Sequence, residues 1–269
     1  MKIASFNING IKARAPALRR WLEEAAPDLV VLQEIKSTDD AFPREVIEDL
    51  GYNLDTHGQK GFNGVAIASK RPVEDVTRGL PGDREDAQAR WIEATVTGAQ
   101  HTLRVCGLYL PNGNPVSLGR DGQPVAEGKY AYKLEWMARM RARACELLRS
   151  ETPLVLMGDF NIIPEAQDAA RPEAWAEDAL YLLPSRAAFR EMMHLGFTDA
   201  FRARYPGPGH YTFWDYQAGA FERNDGIRID HLLLDPHAAD LLEDCGIDTD
   251  TRAGEKPSDH VPIWARLSL

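Results

Sequence analysis

The chain is poor in cysteine and has no excess of positive charge. Its 269 residues include three cysteines, at positions 106, 145 and 245, and none of them belongs to a C-x-x-C pair. We therefore expect neither a disulfide framework nor a zinc site, and we expect a reducing compartment. Acidic residues outnumber basic ones, 41 to 31, which gives a net charge of -10. This charge excludes a binder of nucleic acid that works by overall positive charge, but it permits a local basic docking face.

Long apolar runs are also missing from the sequence. No stretch approaches the roughly 20 apolar residues of a membrane-spanning helix, and Met1-Lys2 leads straight into a short strand without a signal peptide. We therefore expect a cytoplasmic protein without a membrane partner. The length suits one large α/β or sandwich domain over residues 1–269, and no obligate subunit interface is indicated, so we expect a monomer.

The central stretch of the sequence is Leu154–Asn161. Four apolar residues between Pro153 and Gly158 predict a buried strand. Asp159 and Asn161 follow at the end of that strand and point to the same face, so both can reach one water molecule or one phosphate oxygen. The alternative is a turn in which these two side chains cap their own backbone.

Two other predicted strands also end in polar residues. Asn7 and Asn9 share one face at the end of the strand Lys2–Asn9, and Glu34 ends the nearly continuous apolar strand Asp28–Glu34. A carboxylate at the end of a buried strand is costly unless it is paired or binds a cation. The site interpretation therefore competes with an edge salt bridge at Glu34.

The rest of the pattern is mostly strands joined by short turns, with helices between them. Helices are predicted from Pro16 to Pro27, around Pro43–Leu50, over Lys129–Ser150 and over Ala188–Gly196, and further strands over Gly64–Ala68, Arg90–Val96, His101–Leu110 and Ile227–Leu234. This order predicts two packed sheets with helices outside and a site at one rim.

Three further segments carry candidate functional residues. The helix over Lys129–Ser150 has a basic face, which we interpret as solvated except for Lys129, a candidate substrate contact beside a Gly/Pro-rich loop. The aromatic run Tyr211–Tyr216 fits either a core strand or a platform for a nucleotide or sugar. Asp259 and His260 stand just before the terminal strand.

The candidate polar residues share one position, at strand ends or in the loops beside them: Asn7, Glu34, Tyr109, Asp159, Asn161, Asp230, Asp259 and His260. Carboxylate and amide oxygens without thiols or a histidine pair suit Mg²⁺, with Mn²⁺ able to substitute. A single His260 with a candidate carboxylate partner suggests an imidazole held in one tautomer. There is no nucleophile elbow, P-loop or dinucleotide fingerprint, so water is the expected nucleophile.

Five motifs make the chain resemble the exonuclease III type of abasic-site (AP) endonuclease, within the endonuclease/exonuclease/phosphatase superfamily. They are Ser5-Phe-Asn-Ile-Asn-Gly, Leu32-Gln-Glu-Ile-Lys, Gly158-Asp-Phe-Asn-Ile, Arg228-Ile-Asp-His and Glu255-Lys-Pro-Ser-Asp-His. The superfamily elements imply phosphoester hydrolysis, and the Tyr109 turn and the aromatic run are closer to the DNA-repair branch. The resemblance implies a four-layered α/β sandwich of two mixed sheets packed face to face with helices outside.

The resemblance also implies roles for the polar residues. Glu34 would be the principal Mg²⁺ ligand, helped by Asn7 and, through water, by Asp259. Asp159 would activate the attacking water, and Asn161 would orient that water and the phosphate.

The same resemblance implies how the phosphate is held. His260, held by Asp230, would stabilise the charge that develops on the phosphate, and Tyr109 would contact the phosphate or the leaving oxygen. The reaction would cut duplex DNA 5′ to abasic sites, accompanied by repair of blocked 3′ ends and 3′→5′ exonuclease activity.

Substrate contacts are expected at eight further positions: Arg90, Lys129, Asn112, Asn9, Phe213, Trp214, Ile227 and Ile229. The last four are candidates for an apolar pocket that admits a sugar without its base. Gln217 stands where related bacterial enzymes often have a basic residue, and Ile227 where some have Trp, so both positions bear on specificity.

Three other functions compete with abasic-site cleavage. A general nuclease, or a phosphatase of inositol phosphates or sphingomyelin, would use the same phosphoester chemistry. A lipid phosphatase should have an exposed apolar loop or a secretion signal, and neither is visible in the sequence. A non-catalytic DNA-binding protein would show gaps in the polar set, and the sequence has none.

Overall fold

Two six-stranded sheets form the centre of the molecule. The computed structural model describes residues 1–117, 119 and 127–269. The strands are β1 (Lys2–Asn7), β2 (Leu29–Gln33), β3 (Asn53–His57), β4 (Val65–Ser69), β5 (Val73–Arg78), β6 (Trp91–Thr97), β7 (Thr102–Tyr109), β8 (Leu154–Asp159), β9 (Thr198–Asp199), β10 (Asp230–Leu234), β11 (Leu242–Ile247) and β12 (Ile263–Leu267). The α-helices are α1 (Ile11–Ala25), α2 (Glu45–Glu48), α3 (Lys129–Leu147), α4 (Leu183–Met193), α5 (Ala200–Arg204) and α6 (Pro236–Asp240).

Each sheet contains one parallel pair of strands among antiparallel neighbours. The first sheet has the order β11-β12-β1-β2-β4-β3, and β1 pairs with β2 in parallel. The second has the order β5-β6-β7-β8-β10-β9, and β7 pairs with β8 in parallel. Both sheets are therefore mixed, as predicted.

The sheets pack face to face and each buries its outer face under helices. Ile3, Val31 and Ile67 of the first sheet meet Val105 and Met157 of the second in one core cluster. Outside it, α1 covers the first sheet, and α3 and α4 cover the second. The predicted four-layered α/β sandwich is confirmed. None of the helices in the described residues has the length and apolar character needed to cross a membrane.

Element boundaries differ from the sequence predictions at several places. Helix α1 begins at Ile11, five residues before Pro16, and β1 ends at Asn7. The pattern missed β3, β5, β9 and β11, each of which lies at or next to the edge of a sheet. Edge strands bury little of their length, and β5, with no fully buried residue, shows why apolar alternation does not reveal them.

The prediction that the basic face of α3 is solvated is wrong for three residues. Lys133 is fully buried, Arg139 pairs with Asp86, and Arg143 pairs with the buried Glu93. These cations neutralise carboxylates or bind carbonyls between α3 and the second sheet. The positive charge of these three side chains is therefore directed at partners inside the protein and not at solvent.

A buried network of charged residues lies at the start of β10. Arg228 donates to Asp168 at 2.8 Å, to Asp199 at 2.7 Å and to Nδ1 of His231 at 2.9 Å. Because the guanidinium can only donate, Nδ1 of His231 accepts, and its Nε2 donates to the carbonyl of Ile162 at 3.1 Å. Burial, aided by Arg228, lowers the pKa of His231 to about 4.

We expect His231 to make the fold sensitive to mild acid. The folded imidazole stays neutral down to about pH 4, whereas the unfolded one takes up a proton below about pH 6.5. The contribution of His231 to stability is therefore lost as the pH falls from 6.5 towards 4, by about 2 kcal/mol at pH 5. Between pH 7.5 and pH 5, the change in the free energy of unfolding measured in urea should be about 2 kcal/mol less favourable in the wild type than in His231→Gln. An equal change in both proteins would contradict this.

Candidate active site

The site lies where the two parallel strand pairs end on the same side of the sandwich. In the first sheet Asn7 is in register with Gln33, so Glu34 follows directly beside it. In the second sheet Asp159 lies between Tyr109 on β7 and Asp230 on β10. Because the two sheets face each other, polar residues at the ends of five strands come together here.

Asn7 connects the carboxylates of the two sheets. Its Nδ2 donates to Oε1 of Glu34 at 2.9 Å and to Oδ2 of Asp159 at 3.0 Å. Its Oδ1 accepts from the backbone amide of Asn9 at 3.1 Å. In this orientation the amide nitrogen of Asn7 lies between the two carboxylates, and its amide oxygen is turned towards the backbone of Asn9. Its role as a metal ligand stays a prediction.

Lys36 is a site residue that the sequence analysis did not single out. Its Nζ lies 2.8 Å from Oε2 of Glu34 and donates to Oδ1 of Asn9 at 2.6 Å. Burial would raise the pKa of Glu34, but the hydrogen bonds from Lys36 and Asn7 outweigh it and lower the pKa. The signal was present in the motif Leu32–Lys36, in which Lys36 follows the carboxylate by two residues.

The backbone is left-handed at several of these positions. Glu34, Lys36 and Asn161 have φ values of 49°, 52° and 47°. Asn tolerates this conformation, whereas Glu and Lys adopt it rarely and at some cost in free energy. Such residues concentrate where the surrounding structure holds a side chain in a required direction. The conformation aims Glu34 at the junction of the two sheets.

His260 is fixed between two aspartates. Its Nδ1 hydrogen-bonds to Oδ2 of Asp230 at 2.8 Å, and its Nε2 lies 3.7 Å from Oδ2 of Asp159. Burial alone would lower the pKa of His260, but the charges of Asp230 and Asp159 outweigh it and raise the pKa to about 10. The imidazole is therefore a cation at neutral pH and can donate from Nε2 towards a bound anion.

Burial and neighbouring negative charges raise the pKa values of Asp159 and Tyr109. Burial raises the pKa of Asp159 to about 7, opposed by His260 and increased by Asp230 and Glu34. Burial and the charges of Glu34 and Asp159 also raise the pKa of Tyr109 well above its usual value. Asp159 is thus a stronger base than an ordinary aspartate, and Tyr109 keeps its hydroxyl proton for donation.

The donor set fits a hard divalent cation. Glu34, Asp159 and His260 each offer one atom within 4.8 Å of the others. Because a protonated imidazole has no free lone pair, the two carboxylates are the donors that suit such an ion. Asp259 lies outside this group, and its Oδ1 accepts from Nδ2 of Asn9 at 2.9 Å. Its predicted contact through water stays a prediction.

Other predicted substrate contacts surround this centre. Nδ2 of Asn112 donates to Oδ1 of Asn161 at 3.1 Å, and the guanidinium of Arg90 stacks on the ring of Tyr109 with 4.8 Å to its centre. Lys129 is exposed at the first position of α3. Residues 118 and 120–126, in the loop before α3, lie outside the described residues.

A cavity of about 360 Å³ lies beside Phe213. Its lining combines Phe213 and Ile227 with Gln217 and charged residues such as Arg171 and Asp225. The ring of Phe213 lies 5.0 Å from that of His260. Ile229 is buried in the same apolar cluster but does not line the cavity.

Trp214 does not line this cavity, and of the two interpretations of the aromatic run, a core strand does not fit, because residues 211–216 do not form a strand. Trp214 packs in a different cluster, against Tyr211, Ala220 and Phe221. Residues 211–216 form a loop that makes single bridges at Phe213, to Ile227 and His260. Neighbouring side chains of an extended loop point in opposite directions, so Phe213 and Trp214 cannot share one pocket.

This α/β sandwich, with its paired carboxylates and a histidine cation, defines a metal-dependent hydrolase of phosphate esters. The chain belongs to the Endonuclease/Exonuclease/phosphatase family, which it matches over residues 4–260. It is 37% identical to exodeoxyribonuclease III of Haemophilus influenzae over 274 aligned positions, covering 99% of this chain and 100% of the relative.

Two solved structures are similar along the entire chain. One is an AP endonuclease from Archaeoglobus fulgidus, with a TM-score of 0.90 and 35% identity over 100% of both chains. The other is a 3′ phosphatase from Neisseria bound to a product DNA hairpin, with a TM-score of 0.91 and 36% identity over 100% of both chains. The three similar proteins are named for different activities, as an exodeoxyribonuclease, an AP endonuclease and a 3′ phosphatase.

We expect Glu34→Gln to weaken binding of a divalent cation. The change removes one of two anionic donors while keeping the size of the side chain, so the Mn²⁺ affinity should fall by about tenfold or more. Titration calorimetry with Mn²⁺ measures this without substrate. Glu23→Gln is the matched control, because Glu23 is exposed on α1 and pairs with Arg19. Equal affinities for Glu34→Gln and the wild type would disprove the assignment.

Proposed function

We propose that the chain is a Mg²⁺-dependent DNA repair phosphodiesterase that cuts duplex DNA on the 5′ side of abasic sites. The products would be a 3′-hydroxyl and a 5′-deoxyribose phosphate. The observation that carries the proposal is the grouping of Asp159, Glu34 and His260, with Phe213 connecting His260 to a neighbouring cavity. The expectations of a monomer, of one domain over residues 1–269 and of a cytoplasmic location stay predictions.

Asp159 is the proposed base. Its Oδ1 is held by the backbone amide of Asn161 at 2.8 Å, which leaves Oδ2 to accept a proton from water. Oδ2 faces His260 and Asn7 and remains directed at the centre of the site. When bound, Mg²⁺ would supply positive charge at the phosphate and lower the pKa of nearby water.

Several fixed donors surround the place where a phosphate would bind. His260 provides a cationic N–H, Tyr109 a neutral hydroxyl, and Asn112 and Asn161 provide linked amides. Such donors stabilise the charge that develops on a phosphate during in-line attack, because they are already oriented before the reaction. Asp230 supports this by fixing the ring of His260.

The cavity supports a preference for abasic sites. Phe213 and Ile227 form an apolar part of its wall, and the ring of Phe213 lies 5.0 Å from that of His260, which suits a sugar turned out of the duplex without its base. A sugar that lacks a base flips with little loss of stacking or pairing. The AP endonuclease from Archaeoglobus fulgidus, similar over the entire chain, supports the same assignment.

Removal of blocking groups at 3′ ends and 3′→5′ exonuclease activity are proposed as accompanying reactions. All three break a phosphate ester by attack of water, so one set of residues serves them. The similarity to exodeoxyribonuclease III and to the DNA-bound 3′ phosphatase supports this extension. Gln217, which lines the cavity, is positioned to influence the balance between the reactions.

The test compares three duplexes in the presence of Mg²⁺. One carries a single abasic analogue, one carries a 3′-phosphate at a nick, and one is undamaged. We expect incision 5′ to the abasic analogue, and a rate at least about 1000-fold lower for Asp159→Asn, which cannot accept the proton. Asp240→Asn, at an exposed position of α6 beyond the end of β10 opposite to Asp230, should retain the wild-type rate.

The other outcomes identify the competing functions. Equal cutting of damaged and undamaged duplexes would indicate a general nuclease, and cutting of the 3′-phosphate alone would indicate a 3′ phosphatase. If no duplex is cut, the DNA proposal fails and small phosphoesters become the substrates to test. Binding of the abasic duplex without any cutting, by wild type in Mg²⁺ or Mn²⁺, would indicate a non-catalytic protein.

A further inference from the structure

Lys133 is a buried cation in the second turn of α3. Its side chain is fully buried, and its Nζ donates to the carbonyl of Asn161 at 2.6 Å and to the carbonyl of Asn112 at 3.0 Å. Lysine is rarely buried completely, because removing its charge from water is costly. The position therefore requires an explanation beyond the packing of α3 against the second sheet.

The two carbonyls belong to the two loops that carry the proposed phosphate-binding amides. One loop follows β7 and contains Asn112, and the other follows β8 and contains Asn161. The side chains of these residues are joined at 3.1 Å, and Nδ2 of Asn161 also donates to the carbonyl of Leu110 at 2.9 Å. Lys133 therefore ties together the backbones of two residues whose side chains are already hydrogen-bonded.

Gly113 allows the first loop to approach the lysine side chain. A Cβ atom at Gly113 would lie 2.8 Å from Cδ of Lys133 and 3.0 Å from Cβ of Ala179. Gly113 also has a φ of 92°, a conformation that strongly favours glycine. The loop thus depends on Lys133 for a packing surface as well as for a hydrogen bond.

The charge of Lys133 is poorly compensated by its surroundings. Burial lowers its pKa to about 7, and the negative charges of Asp178 and Asp159 reverse this only in part. A well-packed apolar residue at such a position is often equally or more stabilising than a buried charge. A contribution to stability alone is therefore a weak reason for a lysine here.

We propose that Lys133 is a positioning residue, which holds the loops after β7 and β8 together so that Asn112 and Asn161 are aligned for the phosphate. This inference rests on the proposed function for its effect on cleavage. Lys133 lies beneath the amides and acts through them. Its removal should therefore slow the chemical step more than it weakens the binding of DNA.

The experiment measures single-turnover cleavage of the abasic duplex by Lys133→Met. Methionine keeps the length and apolar packing of the side chain and removes both hydrogen bonds. We expect the rate constant to fall about 10-fold to 100-fold, since misplaced catalytic groups lose rate steeply. The dissociation constant for the duplex, measured with Ca²⁺ in place of Mg²⁺, should change less than about twofold.

Two further variants separate positioning from a general loss of stability. Met140→Ala, at a buried position of the same helix, should lower the free energy of unfolding by about 2 to 5 kcal/mol and leave the rate of the folded protein near that of wild type. Gly113→Ala should displace the loop from Lys133 and reproduce the kinetic defect without altering α3. It also serves as the test if Lys133→Met does not fold.

A double-mutant cycle with Asn112→Ala provides the sharpest comparison. If Lys133 acts through Asn112, the two changes together should slow cleavage much less than the product of their separate effects. Independent, multiplicative effects would overturn the proposal. So would a wild-type rate in both Lys133→Met and Gly113→Ala, or a rate defect in Met140→Ala as large as that in Lys133→Met.

Hydrogen exchange tests the proposal without a measurement of DNA cleavage. Backbone amides of residues 110–114 and 160–163 should exchange faster in Lys133→Met than in the wild type, whereas those of β1 and β2 should be unchanged. If the wild type cuts no duplex, the proposed function fails, and this measurement still decides whether Lys133 holds the loops. Unchanged exchange in both segments would overturn the positioning role.

Discussion

The hydrogen bonds of Asn7 to Glu34 and Asp159 are the contacts on which the candidate site depends. Glu34 follows a strand of one sheet and Asp159 ends a strand of the other, so the amide group spans the interface between the sheets. Without such a donor, two buried carboxylates would repel each other at short range. The face-to-face packing of the sheets fixes the spacing that this bridge requires.

Positive charge at the site comes from a few cations that lie directly beside its carboxylates, which reconciles an acidic chain with an anionic substrate. His260 is kept protonated by Asp230 and Asp159, and Lys36 lies against Glu34. Each cation faces the centre of the site, while much of the basic character of α3 is used in internal ion pairs. Net charge is therefore a poor guide to what this site binds.

The sequence was informative where polar residues interrupt strongly apolar strands. Glu34, Asp159 and Asn161 were predicted to be at strand ends. Glu34 and Asp159 lie at the junction of the sheets, and Asn161 lies in the loop after β8. The edge strands were missed because exposed strands have no apolar alternation. Lys133 was interpreted as solvated because it is basic, although Tyr130 three residues before and Met137 four residues after it mark the buried face of α3.

Local periodicity and the position of charged residues thus determined the fold class, the central strands and the choice of polar residues, because these depend on neighbours within a few positions. The tertiary structure decided which of those residues meet. It oriented Asn7 between two carboxylates and buried Lys133 beneath two loops. These outcomes depend on contacts between residues that lie 21 to 152 positions apart, and no local pattern encodes such contacts.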